Sequence, residues 1–266
     1  MLLTDFHVHS TFSDGKLTIP ELVDLYGSYG FGAIAITDHL CEEKTVIGKA
    51  SAYLGCTLTR ETFDEYIATI DAEAERAWRQ YGMLVLPGFE LTKNSVLNHR
   101  SAHIVALGVR KFISADQRPT ELARQIREQG GLSIAAHPVW TRAIERQTYF
   151  LWDRREELCR EFDAWEVASG GFLFEEVAKT KLPKIANSDL HHPRHLRSWK
   201  TLVDSEKHPQ AVLQAIRKQN LRFRFFNPAL GKPPPPLRRP PLQTAALAPL
   251  AVWQAQGARI PLVVNY

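Results

Sequence analysis

The chain has 266 residues, of which 44% are hydrophobic and 23% charged, with a formal net charge of +4. This is the composition of a globular protein with one large core or two modest ones, and the charges are too scattered for a nucleic-acid-binding arm. No apolar run reaches the ~20 residues needed to cross a bilayer. The opening "MLLTDFH" lacks the basic and long apolar regions of a signal peptide, and Cys41, Cys56 and Cys159 form no CxxC, so neither a disulfide framework nor a cysteine zinc site is expected. A cytoplasmic protein that does not contact membranes is the default.

In chain order, "LLTDFHV" predicts a first strand. "LTIPELVDLYGSYG" predicts a helix capped by Thr18 with Glu21 three residues on, Pro20 in its first turn and Gly30 as its stop. "FGAIAIT" reads as a strand buried on both faces, and residues 41 to 60 as a loop. "ETFDEYIATIDAEAERAWRQYG" spaces Phe63, Tyr66, Ile67, Ile70 and Ala74 as a helix does. "MLVLPGFEL", "AHIVALGV" and "GLSIAAHP" predict strands, with the helix "PTELARQIREQGG" before the last. "FDAWEVAS" and "LPKIANSDLH" follow as strands separated by a helix near Glu175 to Lys181, and "HPQAVLQAIRKQ" predicts a closing helix. About seven strand–helix units argue for an α/β protein with a parallel sheet, most simply a barrel, over residues 1–226. Residues 227–266, with "NPALGKPPPPLRRPPLQ", form a proline-rich C-terminal extension that is expected to pack back on that domain as a surface wrap.

His7 and His9, alternating with Phe6 and Val8, share one face of the first strand. Two imidazoles on one face can grip a divalent metal, or they can be a satisfied structural pair, and the rest of the chain decides. Asp38 and His39 follow the second strand, Glu90 ends the third, His103 lies on the fourth, His137 ends the fifth, and Asp189 and His191 follow the seventh. Six of the ten histidines fall at such positions, while His99, His192, His195 and His208 lie on helices and loops. In a parallel barrel the C-terminal strand ends meet at one mouth, where the active site lies. Imidazole and carboxylate without thiolate suit Zn²⁺, Mn²⁺ or Fe²⁺, and so many ligands imply two or three ions.

The motifs "DFHVHSTFSDG", "ITDH", "GFE", "AHP" and "NSDLHH" resemble, in order and spacing, those of the PHP (polymerase and histidinol phosphatase) superfamily, over residues 1 to about 225. The resemblance implies a distorted seven-stranded β/α barrel and a trinuclear metal centre. It places His7, His9, Glu90 and Asp189 on one ion. Glu90 would bridge to a second ion held by His103 and His137, and Asp14, His39 and His191 would hold a third. Some relatives carry histidine at the position of Asp14, and Asp14 before Gly15 also suits a simple turn. Asp38 is expected to orient a histidine from behind, and Asp5 to do the same or to face solvent.

Such a centre suits hydrolysis of the phosphoester of a small phosphorylated molecule (a nucleotide, short oligonucleotide or histidinol-phosphate-like compound) by a metal-activated water. No GxSxG is present, and Cys41 has no activating context. His191 or His192 is the candidate acid for the leaving group. Arg142 and Arg146 after "AHPVW", and Arg194 and Arg197 after "SDLHHP", are the candidate phosphate clamps, each also readable as a solvated surface charge. Trp140 could stack on a ring or belong to the core. Two other readings are an amidohydrolase-type metallohydrolase, which would place a bridging lysine and a lone Asp at the last strand, and a non-catalytic metal-binding PHP module. Glu90 at the bridging position and the pairing of Asp189 with His191 argue against the first. The presence of all nine expected ligands argues against the second.

Overall fold

The computed structural model describes residues 1–95, 101–139 and 149–228. Arg142, Arg146 and Trp140 therefore lie outside the described residues, as does the extension beyond residue 228. Among the described residues, eleven strands and eight α-helices follow in the order β1 (Leu2–Asp5), α1 (Ile19–Ser28), β2 (Ala33–Ile36), β3 (His39–Cys41), α2 (Val46–Tyr53), α3 (Arg60–Tyr81), β4 (Leu84–Lys93), β5 (Ala102–Leu107), α4 (Pro119–Glu128), β6 (Leu132–Ala135), α5 (Tyr149–Asp153), α6 (Arg155–Leu158), β7 (Ala164–Ser169), β8 (Phe172–Leu173), α7 (Glu175–Ala178), β9 (Lys184–Asn187), β10 (Ser198–Val203), α8 (Pro209–Arg217) and β11 (Leu221–Phe226).

The strands form one curled sheet, a distorted barrel. Neighbouring strands run β1–β2–β4–β5–β6–β7–β9, and β3 continues the line of β2 along β4. The two ends are joined by a single parallel bridge between Val8 and Leu190, with His9 N–H donating to Leu190 O at 2.9 Å. The wholly parallel sheet expected from the sequence needs one correction. β5 is antiparallel to both β4 and β6, while every other pair in the ring is parallel. The reversal decides where His103 lies: it sits near the start of β5, and in a reversed strand the start faces the mouth to which the other strands bring their ends.

The local signals explain the long helices. Thr18 and Glu21 form a reciprocal capping box on α1, and α3 starts at Thr59 and stops at Gly82 in the left-handed region (φ 60°). The segment from 41 to 60 is not all loop. Thr45 caps the short helix α2, which buries only Gly48 and so shows no apolar stripe in the sequence. β10 and β11 were also not anticipated. They pair antiparallel on the outer side of β1, and in both the charged residues Lys200, Arg222 and Arg224 interrupt the apolar pattern.

One face of each ring strand points into the barrel. Leu84 and Leu86, Val105 and Leu107, Leu132 and Ile134, Ala164 and Ile185 fill the lower interior, closed by Val212, Leu213 and Ile216 of α8. Burying each larger side chain contributes about 1.5–3 kcal/mol. With the same period of two, that face continues upward to Glu90 on β4, His103 on β5 and Glu166 on β7. The apolar floor thus holds the polar rim in place.

Candidate metal centre

The nine residues expected as ligands meet at this mouth. Glu90, fully buried, lies at the centre: Oε1 is 3.2 Å from His7 Nε2 and 3.3 Å from both His103 Nδ1 and His137 Nε2, and Oε2 is 2.7 Å from His39 Nδ1. Asp189 Oδ1 lies 3.3 Å from His9 Nε2, 3.4 Å from His191 Nδ1 and 3.5 Å from His7 Nε2. Asp14 Oδ1 lies 3.2 Å from His191 Nε2 and 3.7 Å from His39 Nε2. Four overlapping groups have ligand atoms within 4.8 Å of one another: His9, Asp14, His39 and His191; His7, His137 and Asp189; His7, His9 and Glu90; and His39, Glu90 and His103. The grouping differs from the carried-over one: His39 also joins Glu90 and His103. His9 also joins the Asp14 group, and His137 falls with His7 and Asp189.

Local backbone features bring these side chains in. Gly15 lets the loop after β1 fold beneath His9, since a Cβ there would meet His9 O at 2.3 Å. His137 and Asp189 both adopt positive φ, 29° and 52°, a conformation that costs side-chain-bearing residues of order 1–3 kcal/mol and gathers at functional sites. Asp38 does not orient a histidine. Its Oδ1 accepts from Ser10 N–H (2.8 Å) and Ser13 Oγ–H (2.6 Å), and its Oδ2 from Ser10 Oγ–H (2.7 Å), so it pins the loop that carries Asp14. Asp5 neither faces solvent nor touches a histidine: it is buried and accepts from Tyr26 OH, Lys200 Nζ and Ser188 N–H.

Sequence reading missed Glu166. It is fully buried on β7, with Oε1 3.0 Å from His7 Nδ1 and Oε2 accepting the His137 N–H at 2.7 Å. The available signal was a lone carboxylate inside the otherwise apolar strand "AWEVAS".

The remaining candidates are more exposed. His192 caps the turn Pro193–Leu196, its Nδ1 accepting from Arg194 N–H at 3.3 Å, and is exposed to solvent. Arg194 and Arg197 are exposed on the same turn, and the Arg197 guanidinium lies over the Phe225 ring, 5.8 Å from its centroid. Cys41 is buried, and burial pushes its thiol up to about 11, which leaves no thiolate nucleophile there.

The donor set fits divalent cations. His7 Nε2, both nitrogens of His9, both oxygens of Glu90, His103 Nδ1 and Asp189 Oδ1 are buried and make no hydrogen bond. Each such atom costs about 1–3 kcal/mol, too much for one cluster to carry without a partner. Charge points the same way. Glu90, Glu166 and Asp189 stand among six imidazoles, and among the described residues the one fully buried Lys or Arg is Lys200, already paired with Asp5 at 2.8 Å. Electrostatics divide the imidazoles. Burial, followed by His191 and His39, pushes His9 down to about 3. Burial also lowers His191, but Asp189 and Asp14 outweigh it and raise that group to about 9. Burial alone would raise Glu90 and Asp189; the surrounding histidines hold both well below the usual carboxylate range.

The architecture and these residues define a curled α/β barrel with a cluster of possible metal-binding residues at its mouth. Residues 5–134 match the model of the PHP domain, and the resemblance to the PHP superfamily is thereby shown. Among solved structures, a two-domain protein from Bacteroides vulgatus containing a predicted PHP-like metal-dependent phosphoesterase shares the fold. It has a TM-score of 0.62 at 22% identity, over 84% of this chain and 64% of its own. This chain therefore spans under two thirds of that protein. An amidohydrolase from Chromobacterium violaceum, with bound sulfate and no metal, aligns with a TM-score of 0.43 at 18% identity, over 71% of this chain and 88% of its own. No curated protein matches the sequence. Among the described residues no helix is long and apolar enough to cross a membrane.

Proposed function

We propose that the protein is a metal-dependent phosphoesterase that holds two to three divalent ions (Zn, Mn or Fe). His7, His9, Asp14, His39, Glu90, His103, His137, Asp189 and His191 would be the ligands, and a small phosphorylated molecule the substrate. The observation that carries this reading is the meeting of nitrogen and carboxylate oxygen atoms in four overlapping groups, each within 4.8 Å, with seven of those atoms buried and without a hydrogen bond. Divalent ions bound there supply Lewis acidity toward a phosphoryl oxygen and bring water toward ionisation near neutral pH. The chain's own groups do the rest. Glu90, placed against five histidines, holds the groups together from the centre. Asp14 and His191, on the more open side, leave the substrate's approach in their quarter.

Of the two candidate acids, His192 fits the proton transfer better. Both nitrogens of His191 already face acceptors, Asp14 Oδ1 at 3.2 Å and the Asp189 carbonyl at 3.1 Å. His192 Nδ1 accepts from Arg194 N–H, which leaves its proton on Nε2, free to pass to a leaving oxygen. Arg194 and Arg197, on the turn that His192 caps, are the clamps for the phosphate. The amidohydrolase alternative asks for a lysine among the ligands; among the described residues none stands there.

The test is metal analysis of the purified protein together with a phosphoester panel of nucleoside 3′,5′-bisphosphates, short oligonucleotides and histidinol phosphate. Two to three equivalents of metal and chelator-sensitive turnover of at least one compound are expected. Protein that stays metal-free after incubation with manganese and zinc would sink the reading.

A further inference from the structure

We propose that Glu166 is the positioning residue of this centre, one carboxylate that sets both the ring orientation of His7 and the strained backbone of His137. The inference rests on the metal-centre reading above and concerns a residue that is not itself a ligand.

Three donors converge on Glu166. Oε1 lies 3.0 Å from His7 Nδ1 and accepts from Asn187 Nδ2 at 2.9 Å; Oε2 accepts from the His137 N–H at 2.7 Å. Asn187 is fixed in turn, its Oδ1 accepting from Phe6 N–H at 3.0 Å, so its amide must present the NH₂ to Glu166. A carboxylate is the one side chain that accepts at both ends. With Nδ1 donating to Glu166, the lone pair of His7 lies on Nε2, the atom that faces Glu90 and Asp189. The hydrogen bond at the other end ties down the residue whose φ is 29°, a geometry a histidine does not keep unaided. Thus β7, which contributes no expected ligand, fixes ligands carried by β1 and by the segment after β6. The sites that share His7 are coupled through one side chain.

Glutamine separates this role from simple packing, because it keeps the volume but replaces one acceptor by a donor. If its NH₂ faces His7, the ring must turn Nδ1 into an acceptor and place its hydrogen on Nε2, against the metal position. If its NH₂ faces His137, two donors meet and the strained backbone relaxes. Either outcome removes a ligand.

The test compares zinc affinity of the wild-type protein and Glu166→Gln by competition with a chromophoric chelator, with circular dichroism as the control for folding. It is paired with nitrogen-15 NMR of the histidine rings in the zinc-loaded proteins, where His7 is assigned with His7→Gln. A folded Glu166→Gln with about 10–100-fold weaker zinc binding is expected, with the His7 Nδ1–H signal lost in the first amide orientation and kept in the second. Unchanged affinity in a folded variant overturns the proposal. If the variant does not fold, the wild-type spectrum decides: a hydrogen on His7 Nδ1 supports the proposal, and a hydrogen on Nε2 overturns it. A wild-type protein that binds no zinc instead overturns the metal-centre reading, so the two failures are told apart.

Discussion

Asp14 Oδ1 lies 3.2 Å from His191 Nε2, although one residue follows the first strand and the other follows β9. The contact depends on the barrel's closure, because the Val8–Leu190 bridge is what lays these two strand ends side by side. Asp14 is also the most exposed member of the cluster, with 40% of its side chain open to solvent.

On the proposed reading, this exposure would make an ion held near Asp14 the most easily lost. Asp14→Ala is expected to lower the metal content by about one equivalent and leave the ions near Glu90 in place, whereas Asp14→His restores a ligand and most of the content. Elemental analysis of the three proteins after identical dialysis checks this. Equal content in Asp14→Ala would show that Asp14 is only a turn residue.

Metal removal should cost stability through mass action. Ions at about 100 times their dissociation constant stabilise the fold by about 2.7 kcal/mol, which for a domain of this size corresponds to a midpoint shift of roughly 5–10 °C. Thermal denaturation with and without a chelator, then with manganese or zinc restored, reads the shift directly. A melting curve that ignores both additions would contradict bound metal.

Much of this centre was legible because its side chains could not be explained as core. A histidine or carboxylate at the end of nearly every strand has a chemical cause, and all nine sit at one mouth. The reversal of β5 was not legible, since strand direction is set by the connection after Lys93 rather than by the residues of "AHIVAL". Glu166 was missed for a related reason: within one sequence a second-layer carboxylate has no spacing signature, and only the fold shows it behind His7. α2 left no signal because it buries too little. β10 hid because Lys200 at its centre reads as exposed until Asp5 is seen opposite it.

The metal-free protein should lose stability as pH rises, in part through His191. The fold raises this group from an ordinary value near 6.5 to about 9. The folded state therefore binds the proton more tightly, and the resulting stability is fully present below pH 6.5 and lost as pH rises through about 9. His191→Gln should flatten this part of the dependence. Chemical denaturation of chelator-treated wild-type and variant proteins at several values between pH 6.5 and 9 measures the two slopes. Identical slopes would contradict the raised affinity. His9, pushed down to about 3, acts in the opposite sense and at lower pH. It binds its proton in the unfolded chain first, so stability falls as pH drops below about 6.5.

Asp5 and Lys200 are both fully buried, 2.8 Å apart, and the same carboxylate accepts from Tyr26 OH and from the Ser188 N–H beside Asp189. Burial lowers the Lys200 affinity for its proton, and Asp5 opposes that loss without cancelling it. Breaking such a pair from one side leaves a lone buried charge, at a cost of about 3–5 kcal/mol, whereas replacing both partners together is often close to neutral. Lys200→Met alone should therefore destabilise strongly, and Asp5→Asn with Lys200→Met should recover much of the loss. Urea denaturation of the two single variants and the double variant gives the coupling energy. If the effects of the single changes simply add, the pair contributes no mutual stabilisation. Metal content of the double variant adds a separate reading: if Asp5 also steadies the turn that carries Asp189, the recovered fold should still hold its ions less tightly than the wild type.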